Sequence, residues 1–239
     1  MMKVAPKSLS IWKEYKTACV GISMHSENHV GEALHGMLNW VQENFENCIL
    51  DFSDLLYRHN YISAGYSPEV AFKLSQEDGS KWLRNNMDII QSISIPTKII
   101  HWQTWLNHPD FIPNLNQFRH AYNTQPAFRD ALLGDVSKFY KRKNSEPSSG
   151  IESIENSVEY MLEELAAHSI LYTEHPSAVI YPGKQHESFK MVRAGQVASV
   201  PQGIKNSKYV RMIVYNFDSK CTHTPDVRGA ETCLISQAA

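Results

Sequence analysis

The stretch Lys16–Ser23, KTACVGIS, decides the fold, because it is a short apolar run that ends in a glycine turn. An apolar run of this length, bounded by a turn signal, predicts a strand that is buried on both faces. Ser23 follows directly and should therefore lie at the carboxyl edge of a parallel sheet, where open α/β sheets bind their ligands.

Helical and strand patterns alternate on the C-terminal side of this strand. Residues 30–45 carry apolar side chains at helical spacing, and residues 47–54 predict a second strand. A long helix, weakened at Gly79, is predicted to start after Ser67 as its N-cap, and a third strand covers residues 95–103. This order predicts a mainly parallel sheet flanked by helices.

The second half of the chain continues the pattern more weakly. It predicts two helices after Pro109 with a break near Asn123 and Thr124, and an amphipathic helix from Ile151. We expect one domain over residues 1–239, with a polar loop at 144–150, strands at 177–183 and 207–217, and a poorly ordered tail at 218–239.

The composition is that of an ordinary globular protein. The formal net charge of −2 points to no acidic or basic partner by itself. No apolar run is long enough to span a membrane and the start lacks a signal-peptide core, so a cytoplasmic location is predicted.

The four cysteines form no CxxC pair, and the spacing of Cys221, His223 and Cys233 is poor for zinc. We expect reduced thiols, no metal and no cofactor.

The turn Gly21–Ser23 allows two interpretations. Ser23 could act as a nucleophile while backbone N–H groups near the following helix hold an oxyanion, or it could only form or cap a turn. The motif is not the GxSxG elbow of hydrolases, because His25 stands at the second glycine position. From these residues alone, the simple turn is the more common outcome.

Three separated motifs resemble those of the cyclodipeptide synthase family. The segment GISMHS, residues 21–26, resembles the family's nucleophile turn, and Tyr160 and Glu164 in EYMLEEL match its Tyr-x-x-x-Glu pair. Tyr181 in VIYPG matches its strand tyrosine. The motifs occur in the family's order over about Ala18 to Pro182. The resemblance implies a Rossmann-like domain similar to the catalytic domain of class I aminoacyl-tRNA synthetases.

The resemblance also implies roles for these residues. Ser23 would hold an aminoacyl group as an ester, taken from one of two aminoacyl-tRNAs, and ring closure to a diketopiperazine would free it. Tyr160 and Glu164, one helical turn apart, would bind the α-ammonium group. Without the family they would be part of a solvated polar face. Tyr181 would stabilise the reacting centre and relay a proton.

Further positions are assigned to the substrate by the same resemblance. The family has two branches, which differ by asparagine or another residue near the nucleophile and by histidine or proline after the strand tyrosine. Here these positions hold Ser26 and Pro182, which resembles the proline-type branch. Asp51, where a buried strand should be apolar, predicts a polar or cationic first substrate such as histidine or arginine, unless it is paired inside the fold. The substrate-binding set is Gly21, Ser26, Cys19, Asp51, Ser53, Phe111 and Pro182.

Transfer RNA needs a basic surface. By resemblance this surface is a face of the second helix with Lys73, Lys81 and Arg84, although Asn85 stands where the family has a second arginine. The basic residues between Lys138 and Lys143 could compensate. The predicted partners are two aminoacyl-tRNAs, with no DNA and no membrane, and the protein is expected to be a monomer.

Three other functions remain open at this level. An aminoacyl-tRNA-binding or editing module would resolve the Ser23 ester with water instead of an amine. A non-catalytic nucleotide-binding domain would share the architecture. An α/β hydrolase is disfavoured, because no order of triad residues can be assigned.

Overall fold

A computed structural model describes residues 2–6, 12–142 and 151–216 of the chain. These residues contain six strands and eight α-helices. The strands are β1 (Met2–Pro6), β2 (Thr17–Ile22), β3 (Asn47–Phe52), β4 (Thr97–His101), β5 (Ser177–Tyr181) and β6 (Ser207–Asn216). The helices are α1 (Gly31–Asn44), α2 (Arg58–Ser63), α3 (Pro68–Gln91), α4 (Trp102–Leu106), α5 (Phe111–Thr124), α6 (Pro126–Arg142), α7 (Ile151–Glu174) and α8 (Glu187–Arg193).

The strands form one sheet in the order β1-β6-β5-β2-β3-β4. The five strands from β6 to β4 are parallel, and β1 pairs antiparallel with β6. Chain order runs one way from β2 to β4 and the other way from β5 to β6. The topological switch point therefore lies between β2 and β5, where a doubly wound sheet opens its ligand crevice.

Alternating side chains of the strands supply two hydrophobic cores. On one face, Val20 and Leu50 pack with apolar residues of α1 and α3. On the other face, Cys19 and Val179 pack with residues of α4 to α8. This two-sided burial explains why the strands have nearly continuous apolar sequences.

Most predicted elements are confirmed, with two kinds of difference. The sequence patterns missed the short elements β1, α2, α4 and α8, and α4 begins at Trp102, inside the range predicted for the third strand. Helix α3 runs unbroken through Gly79, although a weakening was expected there. A Cβ atom at Gly79 would lie 2.8 Å from Cβ of Asp54, so the glycine lets the helix approach the end of β3 closely. The predicted loop at 144–150 and the predicted tail at 218–239 lie outside the described residues.

Candidate active site

A cavity of about 370 Å³ opens at the carboxyl edge of the sheet, at the switch point. Ser23 follows β2, Ser53 follows β3 and Tyr181 ends β5, and all three line the cavity. Helix α7 closes it with Tyr160 and Glu164. The four residues that the resemblance made catalytic, far apart in the sequence, thus share one pocket.

The backbone of Ser23 is held by a histidine that the sequence reasoning missed. The Ser23 N–H donates to Nδ1 of His29 over 2.9 Å. His29 is buried, and burial lowers its pKa to about 4, so the ring is neutral and can accept this bond. Its Nε2 has no hydrogen-bond partner among the described residues.

The Ser23 turn was expected to lie ahead of a helix N-terminus whose N–H groups could hold an oxyanion. A single 3-10 turn at Glu27–His29 intervenes, and α1 begins only at Gly31. The amide of Ser23 is already used by His29. Oxyanion stabilisation by that amide is therefore not available in this conformation.

Two glycines make room for the ring of Tyr181. A Cβ atom at Gly21 would lie 3.5 Å from the ring, and one at Gly183 would lie 2.7 Å from it. The ring of His29 packs edge-on against Tyr181 at 5.2 Å between centroids. The phenol is therefore packed close to Gly21, two residues before Ser23, which positions it next to the turn.

Tyr160 and Glu164 present a polar surface to the cavity. Neither side chain has a hydrogen bond among the described residues. Burial, opposed by His168 and His186, raises the pKa of Glu164. Burial and the nearby Glu164 carboxylate hold the pKa of Tyr160 well above its usual value, so its hydroxyl stays protonated. A desolvated carboxylate beside a phenol is suited to bind a cationic amine.

Asp51 lines the cavity floor, but it is not unpaired. Its two carboxylate oxygens accept hydrogen bonds from Nε1 of Trp105 at 3.1 Å and from Nε2 of His168 at 2.8 Å. Although burial opposes a charge on His168, Asp51 raises the pKa of its imidazole. The sequence expectation treated Asp51 as a free charge unless it was paired inside the fold, and the structure shows that it is paired.

The other predicted substrate residues fall into two groups. Gly21 and Ser53 line the cavity, as expected. Cys19 and Phe111 lie in the buried core and are not among the cavity-lining residues, so they can affect the pocket only through their neighbours. Cys19, for example, accepts a weak hydrogen bond from Tyr172, which does line the cavity.

Ser26 and Pro182 flank the cavity without lining it. The Ser26 N–H closes the nucleophile turn by donating to the Ser23 carbonyl at 3.1 Å. Pro182 follows the last residue of β5. Ser26 lies three residues after Ser23, and Pro182 directly follows Tyr181. Each could affect the pocket only by changing the position of Ser23 or Tyr181.

The predicted tRNA surface is exposed. Lys73, Lys81 and Arg84 all lie on the solvent side of α3, and Lys73 is 3.9 Å from Glu77. In the second basic cluster, the amine of Lys138 contacts Asp135 at 3.2 Å. Lys143 lies outside the described residues.

No group of three or more His, Cys, Asp or Glu residues within 2–6, 12–142 and 151–216 is arranged to hold a metal ion. Cys221, His223 and Cys233 lie beyond these ranges. In the same described part of the chain, no helix is both long and apolar enough to cross a membrane. Cys19 and Cys48 are buried free thiols.

Comparisons with known proteins agree with this geometry. A sequence model of the family described as Cyclodipeptide synthase matches residues 2–172. No curated protein matches the chain.

Solved structures show the same fold. The chain is similar to a CDPS from Fluoribacter dumoffii, with a TM-score of 0.79 and 17% identity over 91% of this chain and 100% of that one. A cyclodipeptide synthase from Candidatus Glomeribacter gigasporarum bound to Phe-tRNAPhe gives a TM-score of 0.65 and 17% identity over 90% and 93%. The chain is also similar to a Mycobacterium tuberculosis protein, with a TM-score of 0.68 and 13% identity over 89% of this chain and 93% of that one. The structure of that protein is described as demonstrating that cyclodipeptide synthetases are related to type I tRNA synthetases.

Proposed function

Because the chain belongs to the cyclodipeptide synthase family, whose members are tRNA-dependent aminoacyltransferases, we propose that it joins two aminoacyl groups through an ester on Ser23. One observation carries the proposal: Ser23, Tyr160, Glu164 and Tyr181 line the same cavity at the switch point of the sheet. The polar groups of this pocket match the needs of acyl transfer from an activated ester.

The first step exchanges one ester for another. Ser23 Oγ attacks the carbonyl carbon of an aminoacyl-tRNA, the new Oγ–C bond forms, and the bond to the ribose oxygen breaks. The serine proton passes to that ribose oxygen, so no ATP or cofactor is consumed. Glu164 and Tyr160 support the step by holding the α-ammonium group of the aminoacyl ester beside Ser23.

The next two steps make the two peptide bonds. The amine of the aminoacyl-Ser23 ester attacks the ester of a second aminoacyl-tRNA, whose ribose oxygen leaves with the amine proton. The free amine of the resulting dipeptidyl ester then attacks the carbonyl at Ser23. The ring closes, the Oγ–C bond breaks, and the second amine proton returns to Oγ.

Tyr181 is proposed to assist these proton transfers. Its ring packs against Gly21, Gly183 and His29, which fixes it beside the turn that carries Ser23. A Tyr181→Phe variant keeps this packing and removes only the hydroxyl. Full activity in that variant would refute the relay.

The first substrate is proposed to have a polar side chain, since Asp51 and His168 form part of the cavity. A cationic side chain is no longer favoured, because both carboxylate oxygens of Asp51 already accept hydrogen bonds, one from Trp105 and one from His168. The branch with proline after the strand tyrosine stays a prediction from Ser26 and Pro182. A cytoplasmic location and a monomeric state also stay predictions.

The tRNA surface is proposed to be the exposed face of α3. Lys73, Lys81 and Arg84 lie along it at spacings of eight and three residues, so their charges share one side of the helix. Neutralising phosphates with these side chains makes binding salt-dependent. Replacing all three by glutamine should weaken aminoacyl-tRNA binding and flatten its salt dependence, which filter binding at several salt concentrations would measure.

The test of the function is production of diketopiperazines by the chain expressed in bacteria, measured in the medium by mass spectrometry. The wild-type chain should yield at least one cyclic dipeptide, and Ser23→Ala should yield none. Ser92→Ala, at the C-terminal end of α3, is the matched control and should leave the yield unchanged. Release of free amino acid from aminoacyl-tRNA without any cyclic product would instead indicate an editing hydrolase.

A further inference from the structure

Arg193, the last residue of α8, lines the cavity and has one hydrogen-bond donor without a partner. Its Nε and Nη2 donate to the carbonyl and hydroxyl oxygens of Ser207 at 3.2 and 3.0 Å. The third nitrogen, Nη1, is buried and has no hydrogen-bond partner in the described part of the chain. Arg193 lines the same cavity as Ser23. A buried unpaired donor is unfavourable, more so when it is charged, and a ligand that accepts a hydrogen bond from it would relieve that cost.

The positive charge of Arg193 is also unbalanced. No carboxylate within the described residues forms an ion pair with it. The groups that influence it electrostatically are the phenols of Tyr172, Tyr209 and Tyr15, which are neutral when protonated. Asp51, which also lines the cavity, already accepts hydrogen bonds from His168 and Trp105.

Arg193 and the pair Tyr160 and Glu164 line the same cavity. Arg193 and Glu164 both influence His168, the residue that contacts Asp51. No ion pair joins Arg193 to Glu164 among the described residues. An amino acid whose amine is held at Glu164 therefore lies in a pocket that also contains the Arg193 side chain.

We propose that Arg193 binds the side-chain carboxylate of the aminoacyl group held on Ser23, so that the first substrate is an aspartyl or glutamyl group. This proposal rests on the proposed function. A carboxylate supplies both the missing acceptor and the missing negative charge, and arginine is the side chain best suited to bind it. A cationic side chain would meet a like charge, and an aliphatic one would leave Nη1 unpaired.

The first test uses the purified wild-type chain with one aminoacyl-tRNA at a time. Intact-protein mass spectrometry follows the rate at which an aminoacyl group appears on Ser23. Aspartyl or glutamyl transfer should be at least about tenfold faster than asparaginyl, glutaminyl, leucyl or lysyl transfer, because a site built for a hydrogen-bonded group rejects its analogues strongly. A faster reaction with an amide, aliphatic or cationic group would overturn the proposal while leaving the proposed function intact. If no aminoacyl group reaches Ser23, the proposed function itself fails.

The second test measures selectivity instead of total rate. Arg193 also donates to Ser207, so replacing it can lower the total rate by disturbing the structure. Arg193→Leu should reduce the preference for the carboxylate over the matching amide from about tenfold to parity, whatever its effect on total rate. Ser207→Ala removes one bond of Arg193 but keeps its charge, and should preserve the preference. An unchanged preference in Arg193→Leu would overturn the proposal, because a purely structural arginine would not set the ratio.

Discussion

Two adjacent glutamates on α7 occupy opposite environments. Glu163, whose side chain is 3% exposed, accepts hydrogen bonds from Arg58, His59 and Trp102. Burial opposes its charge, but the bonds from His59 and Arg58 lower its pKa to about 2. Glu164, the next residue, lines the cavity with no hydrogen bond among the described residues, and burial raises its pKa.

The difference separates a carboxylate that is satisfied inside the fold from one that is left open to the cavity. Glu163 ties α7 to α2 and to the start of α4, and its hydrogen-bonding capacity is used inside the fold. Glu164 is desolvated without a hydrogen bond among the described residues, and His168 and His186 only partly offset its burial. This state is unfavourable for the protein alone and would be relieved by a bound cation. A carboxylate kept in that state marks the place where the substrate amine is expected.

The largest effect should follow from loss of the Glu163 charge. Glu163→Gln leaves Arg58 partly buried without its counter-ion, and breaking such a pair costs about 3–5 kcal/mol in the free energy of unfolding. Urea denaturation would measure it. The control is Glu159→Gln on the same helix, whose partner Arg119 is far more exposed, and which should cost about 1 kcal/mol or less. Equal losses in the two variants would contradict the comparison.

The two glutamates should also make stability depend on pH in opposite directions. The pKa of Glu163 is depressed from 4.5 to about 2. Its ionised form therefore contributes about 3 kcal/mol to the free energy of unfolding. This contribution is fully present above pH 4.5 and is lost as the pH falls toward 2. The difference in unfolding free energy between wild type and Glu163→Gln should therefore shrink over that range.

The pKa of Glu164 is raised, so its ionisation destabilises the folded state as the pH rises above 4.5. Glu164→Gln should remove this loss and be at least as stable as the wild type at pH 7, with the two converging in acid. Urea titrations from pH 2 to 7 would show both trends. A Glu164→Gln variant that loses stability at neutral pH would contradict the assignment of Glu164 as uncompensated.

The next largest effect should be a loss of activity in Glu164→Gln. The neutral amide keeps the shape of the side chain and loses the charge that binds the amine. Cyclic dipeptide formation should fall about a hundredfold, which corresponds to about 2.7 kcal/mol. Single-turnover assays with aminoacyl-tRNA would measure it. Activity within about threefold of the wild type would remove Glu164 from the amine site.

The smallest effects should come from one hydroxyl and one indole N–H. Tyr160→Phe, on the cavity side, should leave unfolding unchanged within about 0.5 kcal/mol and slow the reaction about tenfold. Trp102→Phe removes a donor to Glu163 and should cost about 1–3 kcal/mol of stability with little change in rate. A reversed pattern, with Tyr160 affecting stability and Trp102 affecting rate, would break the division between the two sides of α7.

Local patterns were enough to predict most elements of this fold. The apolar run before Ser23 and the cap at Ser67 are short-range signals, and both mark real element boundaries, since β2 ends at Ile22 and α3 begins at Pro68. The missed elements β1, α2, α4 and α8 are short, and a few residues do not establish a period. Gly79 was misjudged because its role depends on Asp54, which is distant in the sequence.

The sequence by itself determined that a serine ends the first parallel strand of the α/β sheet, because periodicity and turn signals are local properties of the chain. Only the tertiary structure decided that both carboxylate oxygens of Asp51 and of Glu163 accept hydrogen bonds, whereas Glu164 accepts none and Arg193 has no ion-pair partner among the described residues. Arg58, which donates to Glu163, lies more than a hundred residues away in the sequence. Nothing in the dipeptide Glu163–Glu164 distinguishes the two carboxylates. The environment around each charge, set by long-range packing, gives it its function.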